Sequence, residues 1–321
     1  MNGKRILVTG ALGQIGSELV VELRKRYGAE SVVASDIRVM QLEKAESAGP
    51  FEYIDCTHQR EIQEVVRRYD VGTIYHLAAL LSAVAEEKPQ VAWDVNMGGL
   101  YRVLEVARQS RCSVFFPSSI GAFGPSTPKI DTPQDTIQRP TTIYGVTKVS
   151  GELLCDYYHL RFGVDTRGVR FPGLISYKTS PGGGTTDYAV EIFYEAVRHQ
   201  RYTSFLRSDT CLDMMYMPDA LGAAIGVMEA DAGRLRHRNA FNVASMNFTP
   251  DQLADEIRRH IPEFEIDYAV DPIRQSIADS WPESVDDQCA RDEWGWSPTY
   301  DLESMTKDML QKLASKLERR P

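Results

Sequence analysis

Several features that identify particular classes of protein are missing from this chain of 321 residues. Its five cysteines are odd in number, scattered and never arranged as CxxC, so the sequence predicts neither a disulfide framework nor a zinc site. The six histidines form no HExxH pair. No apolar run approaches the roughly 20 residues that cross a bilayer. We therefore expect no metal, and a reduced, cytoplasmic setting.

The chain also lacks the positive charge of a nucleic-acid surface, since its formal net charge at pH 7 is -9. A strand-like run that already begins at Lys4 leaves no expectation of a leader segment. What is present is ordinary for a globular enzyme, with 43% apolar and 25% charged residues. We expect a small-molecule substrate, and no nucleic-acid or membrane partner.

The first residues predict a nucleotide-binding turn. Residues 4–9 read as a buried parallel strand, and an amphipathic helix extends to Tyr27. Between them the glycines follow GxxGxxG rather than GxGxxG, a spacing that lets the backbone turn beside a pyrophosphate at the helix N-terminus. A glycine-rich turn without function is the alternative. The expected cofactor contacts are Gly10, Leu12, Gly13, Gln14, Ile15 and Gly16.

An acidic residue follows the second predicted strand, residues 31–35. A carboxylate at Asp36 can accept both ribose hydroxyls of NAD and would repel the extra phosphate of NADP, so NAD is the expected cofactor. Because Arg38 is nearby in the sequence, NADP remains an alternative cofactor. Ile37 and Arg38 complete the expected contacts of this strand end.

The third and fourth predicted strands, residues 51–54 and 73–77, end in further candidates. The Asp55 carboxylate either accepts from an adenine amino group or caps the helix that starts near Gln59. Small residues after the fourth strand allow the backbone to lie against a cofactor. The cofactor contacts expected at these two strand ends are Asp55, Cys56, Leu77, Ala78 and Ala79.

A long predicted helix, residues 89–110, carries Asn96 near its middle. Asn96 either holds the backbone of the helix that bears the acid–base residues through water, or is simply buried and hydrogen-bonded. The fifth predicted strand, residues 113–117, ends at Ser118 and Ser119. The repeated alternation of strands and helices predicts an α/β fold with a doubly wound parallel sheet, the Rossmann arrangement. Sites in such sheets lie at the carboxyl ends of the strands.

Tyr144 and Lys148 stand four residues apart and share one helix face. Lowering the pKa of a phenol from about 10 to about 7 requires roughly 4 kcal/mol. One ammonium about 4 Å away supplies roughly that at an effective dielectric constant of about 20, whereas burial opposes it. The pair therefore predicts general acid–base chemistry without a metal. Because many Tyr and Lys residues at this spacing are only surface residues, the motifs that flank the pair decide how strongly it indicates acid–base chemistry.

Taken together, these motifs resemble the extended short-chain dehydrogenase/reductase family, over nearly the whole chain. The resemblance rests on the glycine turn, Asp36, Asp55, Leu77-Ala-Ala79, Asn96, Ser118-Ser-Ile-Gly-Ala-Phe-Gly124 and the Tyr144/Lys148 pair, in that order. It implies that Tyr144 is the acid–base group and that Lys148 lowers its pKa and holds the nicotinamide ribose. It implies that Ser119 binds the reacting oxygen, with Ser118 as the rival. The further cofactor contacts that it implies are Asn96, Ser118, Tyr144, Lys148, Phe171, Gly173, Leu174 and Ile175.

The loop after Phe171 indicates which substrate to expect. Sugar-nucleotide epimerases of the family usually carry Asn at the Gly173 position and then a Tyr-Gly-Pro-Arg-like turn, whereas this chain continues Ser176-Tyr-Lys-Thr-Ser-Pro-Gly-Gly-Gly-Thr-Thr-Asp187. That loop, with Ile277-Ala-Asp-Ser-Trp-Pro282, resembles the epimerase-like L-threonine 3-dehydrogenases of threonine catabolism. The resemblance implies oxidation of the L-threonine 3-hydroxyl to 2-amino-3-oxobutanoate, with hydride transfer to NAD. It also implies a homodimer that pairs helices 89–110 and 144–161.

A helix predicted over residues 188–199, with Thr185 or Thr186 as its cap, offers N–H groups to a substrate carboxylate. Asp187 either faces the substrate ammonium or stabilises the first helical turn. Residues 182–184 form either a closing lid or a loop without a ligand. Trp281 either covers the pocket or belongs to the core. The expected substrate contacts are Ser82, Ser119, Tyr144, Thr185, Thr186, Asp187 and Trp281.

These assignments predict two domains. Residues 1–171, completed by 214–245, form the NAD-binding domain, and residues 172–213 and 246–321 form a smaller, discontinuous substrate domain. Two other functions remain open. A sugar-nucleotide epimerase or dehydratase would need a basic clamp for a diphosphate, and an NAD-binding redox regulator without turnover would usually lack the Tyr/Lys pair.

Overall fold

A computed structural model describes residues 4–38, 49–178 and 184–318. Their strands are β1 (Arg5–Thr9), β2 (Val32–Asp36), β3 (Phe51–Tyr53), β4 (Val71–His76), β5 (Ser113–Ser119), β6 (Thr166–Phe171), β7 (Gly173–Ile175), β8 (Arg201–Ser204), β9 (Leu212–Tyr216), β10 (Phe241–Asn242), β11 (Met246–Phe248) and β12 (Glu265–Tyr268). Their helices are α1 (Gln14–Tyr27), α2 (Gln59–Arg68), α3 (Ser82–Glu87), α4 (Pro89–Trp93), α5 (Gly99–Ser110), α6 (Ile143–Phe162), α7 (Tyr188–His199), α8 (Met217–Glu229), α9 (Pro250–Arg258), α10 (Pro272–Ala278), α11 (Gln288–Trp294) and α12 (Leu302–Glu318). None of these helices is long and apolar enough to cross a membrane.

The chain divides into two compact units. The first comprises Met1–Ala122, Thr142–Arg170 and Ala223–Phe241, and the second comprises Phe123–Thr141, Phe171–Gly222 and Asn242–Pro321. The sequence analysis left the segment Phe123–Thr141 inside the first domain. Its backbone instead pairs within the second unit, where the Thr132 N–H donates to the Ser284 carbonyl. Such a long-range pairing leaves no periodic signal in the sequence.

The first unit is built on a parallel sheet. Within the described ranges the sheet has seven strands in the order β10-β6-β5-β4-β1-β2-β3. β1 lies between β2 and β4 and runs parallel to both, with Leu7 beside Val33 on one side and Ile74 on the other. From β1 the strand order continues through β2 and β3 on one side, and from β4 it continues through β5 and β6 on the other. This reversal opens a crevice at the carboxyl ends of β1 and β4. The predicted doubly wound fold is confirmed.

Helix α5 shows how the sheet acquires its covering layer. Its residues Leu100, Val103, Leu104 and Ala107 are fully buried. They follow the i, i+3, i+4, i+7 spacing of one helix face, and α5 packs against α2, α6 and β4. Burial of one large aliphatic side chain contributes about 1.5–3 kcal/mol, so this face fixes the helix on the sheet.

The helix predicted over residues 89–110 is not continuous. A π-helical turn, Asp94–Gly98, separates α4 from α5 and contains Asn96. Single π turns recur at functional sites, where they change the direction of a side chain without ending the helix. The apolar periodicity continues across the turn, which explains why the sequence predicted one uninterrupted helix.

The second unit contains small sheets that the sequence analysis did not predict. β9 pairs in parallel with β7 and antiparallel with β11, and β8 pairs in parallel with β12. Strands this short carry little periodicity. The core of this unit includes three buried methionines, Met214, Met215 and Met217. α7 packs against α9 and α12 over this core.

Candidate active site

The turn between β1 and α1 is shaped by its glycines. Gly10 has a φ of +71°, and a Cβ atom on it would lie 2.7 Å from the backbone nitrogen of Ala78. A Cβ atom on Gly16 would lie 2.2 Å from the Gly10 carbonyl oxygen. Helix α1 begins at Gln14 after Gly13, and no side chain in the described part of the chain caps it. Its first N–H groups, including that of Ile15, therefore suit an anion such as a pyrophosphate.

Asp36 ends β2 beside this turn, with its side chain only 5% exposed. It accepts a hydrogen bond from the Leu12 N–H at 2.9 Å, and its Oδ1 lies 3.0 Å from Nε of Arg38. Burial acts to raise the pKa of Asp36, but the hydrogen bonds from Arg38 and Leu12 outweigh burial and hold that pKa below its ordinary value. Asp36 is therefore anionic and can accept hydrogen bonds from ribose hydroxyls. Arg38 is engaged by this carboxylate, and Ile37 between them is exposed.

The third strand end is organised by Asp55. Its Oδ1 accepts from the backbone nitrogen and the hydroxyl of Thr57, at 2.8 and 2.7 Å. These bonds shape the turn that leads into α2. The N-cap residue of α2 is His58 and no side chain among the described residues caps that helix, so the expected capping by Asp55 is not observed. Cys56 is buried against Gly99, and burial raises the pKa of its thiol to about 12.

The loop after β4 is held from two sides. The Leu77 N–H donates to the Thr9 carbonyl at 3.1 Å, and Ala78 meets Gly10 closely; both residues are partly buried, as is Ala79. Asn96 accepts from the Leu80 N–H at 2.8 Å and donates to the Thr147 hydroxyl at 3.2 Å. Asn96 is thus buried and hydrogen-bonded, and it joins this loop to α6 by a direct side-chain contact.

Two neighbouring serines at the end of β5 face opposite ways, as successive residues of a strand do. Ser118 is buried, and its hydroxyl donates to the Glu152 carboxylate on α6. Ser119 accepts from the Gly121 N–H at 3.1 Å, and its side chain is hydrogen-bonded to that of Tyr144. Ser119, and not its rival Ser118, therefore lies beside the candidate acid–base group.

Helix α6 carries Tyr144 in its first turn and Lys148 one turn later. The helix begins under the cap of Thr142, whose side chain accepts from the Gly145 N–H at 3.1 Å. Lys148 is only 5% exposed. Its ammonium donates to the Pro117 carbonyl at 2.6 Å and lies 5.3 Å from the centre of the Tyr144 ring.

This arrangement differs from the one that the spacing predicted. Burial raises the pKa of Tyr144 to about 12, although the hydrogen bond with Ser119 acts in the opposite direction. Burial also lowers the pKa of Lys148 to about 8, while Glu152 acts to raise it. Lys148 is not among the groups that lower the pKa of Tyr144; its ammonium lies over the ring and donates to a backbone carbonyl. Helical spacing fixes a shared face, but it does not fix the direction of a four-carbon side chain.

In the second unit, Thr185, Thr186 and Asp187 form a 3₁₀ turn directly before α7. The Asp187 carboxylate accepts from the Gly184 N–H at 2.8 Å. Asp187, rather than either threonine, therefore secures this turn, which corrects the predicted cap. Of the predicted lid, Gly182 and Gly183 lie outside the described residues.

The segment after β6 runs beside that turn. A Cβ atom on Gly173 would lie 2.7 Å from Cγ2 of Thr186 and 2.4 Å from Sδ of Met214, so glycine permits this close packing. The remaining predicted contacts of this unit are buried or partly buried: Phe171, Leu174, Ile175 and Trp281. Ser82, in the first unit, begins α3.

Comparison with known proteins agrees with this geometry. Residues 6–244 match the NAD-dependent epimerase/dehydratase family. An uncharacterized epimerase/dehydratase of Staphylococcus saprophyticus is 56% identical over 313 residues, which cover 98% of each chain. The chain belongs to the NAD-dependent epimerase/dehydratase family. Membership of this family confirms NAD, the cofactor expected from Asp36. The glycine turn fits this cofactor, because a Cβ atom at position 10 or 16 would fill the space within the turn.

Two solved structures of family relatives superpose closely. The X-ray structure of L-threonine dehydrogenase from Clostridium difficile is 59% identical, with a TM-score of 0.96, and the match covers 98% of each chain. The apo form of a monomeric L-threonine 3-dehydrogenase from a metagenome is 43% identical, with a TM-score of 0.93 over 97% of this chain and 99% of that one.

For this family member, we expect Asp36→Ala to weaken NAD binding roughly 10- to 100-fold, the effect of losing hydrogen bonds to a charged group. The substitution also releases the Arg38 guanidinium, so the preference for NAD over NADP should shrink. Fluorescence titration with both nucleotides measures the two affinities. Glu64→Ala, which removes an exposed carboxylate on α2, serves as the matched control. An unchanged ratio of the two affinities in Asp36→Ala would contradict the assignment.

Proposed function

We propose that this chain oxidises the 3-hydroxyl of L-threonine, with NAD as the oxidant, and releases 2-amino-3-oxobutanoate. The observation that carries the proposal is the grouping of Ser119, Tyr144 and Lys148 at the carboxyl edge of the sheet. It occurs in a chain that is 59% identical to an L-threonine dehydrogenase. The product is a β-keto acid, a class of compound that loses carbon dioxide readily.

In this proposal the first unit holds NAD. The glycine turn receives the pyrophosphate at the start of α1, and Asp36 accepts from a ribose. Bound in its oxidised form, NAD supplies the acceptor for the hydride and an additional positive charge. The loop after β4 completes the contacts proposed for this unit.

Tyr144 takes the proton of the substrate hydroxyl, and Ser119 orients the oxygen that loses it. A pKa of about 12 for Tyr144 is found with Lys148 already 5.3 Å from the ring centre, so this placement alone does not make a base. Reaching a pKa of about 7 requires roughly 7 kcal/mol more stabilisation of the phenolate. The added positive charge that NAD brings beside the Lys148 ammonium acts in that direction.

The second unit takes the amino acid in this proposal. The 3₁₀ turn of Thr185, Thr186 and Asp187 contributes hydroxyls and a carboxylate that Gly184 holds in place. These groups suit a zwitterionic substrate, in which an ammonium and a carboxylate are adjacent. Trp281 completes the contacts proposed for this unit.

The test is an assay of NADH formation with L-threonine, run beside an epimerisation assay with UDP-galactose. We expect NADH from L-threonine and no epimerised sugar. The two outcomes separate the proposed dehydrogenase from a sugar-nucleotide epimerase of the same family. UDP-galactose epimerised without any NADH from L-threonine would reverse the assignment.

We further propose that two copies of the chain pair through α5 and α6. Apolar side chains lie exposed on both helices, among them Tyr101, Leu153 and Leu160, the last of which is 83% exposed. A self-complementary apolar face suits a two-fold dimer. Because one structural neighbour is described as monomeric, sedimentation velocity is the measurement that distinguishes the two states. A reduced cytoplasmic setting is also proposed, since all five cysteines are free.

A further inference from the structure

A buried group of polar side chains lies next to Lys148 and takes no direct part in the proposed chemistry. Glu152, on α6, is 4% exposed, and Arg170, on β6, is 6% exposed. Arg170 binds the carboxylate through two hydrogen bonds, Nε to Oε1 at 3.1 Å and Nη2 to Oε2 at 2.9 Å. The Ser118 hydroxyl donates to the same carboxylate.

Stability alone gives little reason for this arrangement. Removing two charges from water is unfavourable, and apolar residues of similar volume in place of a buried ion pair are often as stable or more stable. The carboxylate nevertheless forms a bidentate ion pair with the Arg170 guanidinium and accepts from the Ser118 hydroxyl. The negative partner of this ion pair lies in the interior, one helical turn beyond Lys148.

That charge acts on Lys148. Burial lowers the pKa of the lysine to about 8, and Glu152 is the first of the groups that raise it again. The other titratable groups around the lysine carry no compensating charge at neutral pH. Cys155 on the same helix has its pKa raised by burial, and Tyr144 remains a phenol. His76 on β4 has a pKa lowered by burial to about 3 and is neutral.

The same carboxylate also fixes the partner of the ammonium. Lys148 donates to the carbonyl of Pro117, and the next residue, Ser118, is bound to Glu152. The Glu152 carboxylate therefore joins helix α6 to the end of β5, next to the contact between Lys148 and Pro117. Displacing Glu152 would move both the charge and the carbonyl that Lys148 contacts.

We propose that Glu152 is a positioning residue which, held by Arg170 and Ser118, keeps Lys148 as an ammonium ion at the end of β5. This inference rests on the proposed dehydrogenase function, in which Tyr144 needs a neighbouring cation. Arg170 acts one step further away, through its two hydrogen bonds to the buried carboxylate. The sequence analysis did not identify Glu152 or Arg170, although the spacing of four residues between Lys148 and Glu152 was the available signal.

The test follows the titration of Lys148 directly, by NMR of protein labelled at the lysine side chains. The signal of Lys148 is assigned from its loss in Lys148→Met. In Glu152→Gln we expect the titration midpoint of Lys148 to fall by about one pH unit or more, the size of shift that loss of a nearby opposite charge produces. The alkaline limb of the activity profile should move to lower pH by a similar amount.

Glu152→Gln removes the carboxylate that the buried Arg170 binds, so a second variant keeps the test decisive. Glu152→Gln combined with Arg170→Gln removes both charges, and we expect a lowered Lys148 midpoint there as well. A folded double variant in which Lys148 titrates as in the unmodified protein would overturn the proposal. Because the titration needs no substrate, failure to oxidise L-threonine would count against the proposed function alone.

Discussion

Tyr144→Phe is expected to reduce turnover of L-threonine by roughly 10²- to 10⁴-fold, the usual contribution of a positioned acid–base group. The substitution removes one oxygen and keeps the aromatic ring against which Lys148 lies. Binding of NAD should therefore change little. Steady-state NADH formation reports the turnover, and titration with NAD reports the affinity.

The matched control is Tyr157→Phe, which removes a phenol oxygen from an exposed position on the same helix. Its turnover and NAD affinity should both remain close to those of the unmodified protein. Full activity in Tyr144→Phe would remove Tyr144 from the mechanism. A joint loss of turnover and NAD binding would show that the substitution had disturbed the nucleotide site instead.

Gly16→Ala is expected to weaken NAD binding roughly 10- to 100-fold, because inserting a methyl group into a tight site costs about 1–3 kcal/mol. The new Cβ atom would lie 2.2 Å from the Gly10 carbonyl oxygen and 2.8 Å from Cα of Ala11. Both are backbone atoms, so no side-chain rotation relieves the contact. The backbone of Gly10 has little space in which to shift, since it already packs closely against Ala78.

Gly222→Ala is the control for this substitution. Gly222 lies in α8, and a Cβ atom there meets nothing within 4 Å. Alanine is favoured over glycine in a helix by about 1 kcal/mol, so this variant should melt slightly higher and bind NAD normally. Affinity for NAD is measured in both variants together with the melting temperature. Normal NAD binding by Gly16→Ala would contradict the role given to the turn.

The first unit was largely predictable from the sequence because its signals are local and repeated. Each long apolar strand is followed by turn residues and then by an amphipathic helix, and the boundaries of α1 and of β1, for example, follow that pattern closely. The second unit was predicted less completely. Strands such as β7 and β11 have three residues each, too few to show a period of two.

Positions in the candidate site were predictable along the chain, but side-chain directions were not. Ser118 and Ser119 both end a strand that is buried on two faces, so no alternation of polar and apolar residues shows which one faces Tyr144. The direction of the Lys148 ammonium depends on the Pro117 carbonyl, and that contact links residues 31 positions apart. The role of Glu152 depends on Arg170, which is 18 positions away and on a different element.

Asn96 illustrates a related limit. Its burial was one of two interpretations from the sequence, but the π-helical turn that directs it was not predicted, because a single π turn is too short to leave its own pattern in the sequence. The bonds to Leu80 and Thr147 then join the loop after β4 to the helix that carries Tyr144. The structure therefore shows contacts between predicted residues that the sequence did not indicate.

The most direct measurement uses L-threonine that carries deuterium at C3 and follows the mass of the NADH that forms. Transfer of the C3 hydride to NAD predicts NADH that is heavier by one deuterium, with the label lost from the amino acid product. NADH without deuterium, or no NADH at all from a protein that binds NAD, would contradict the account.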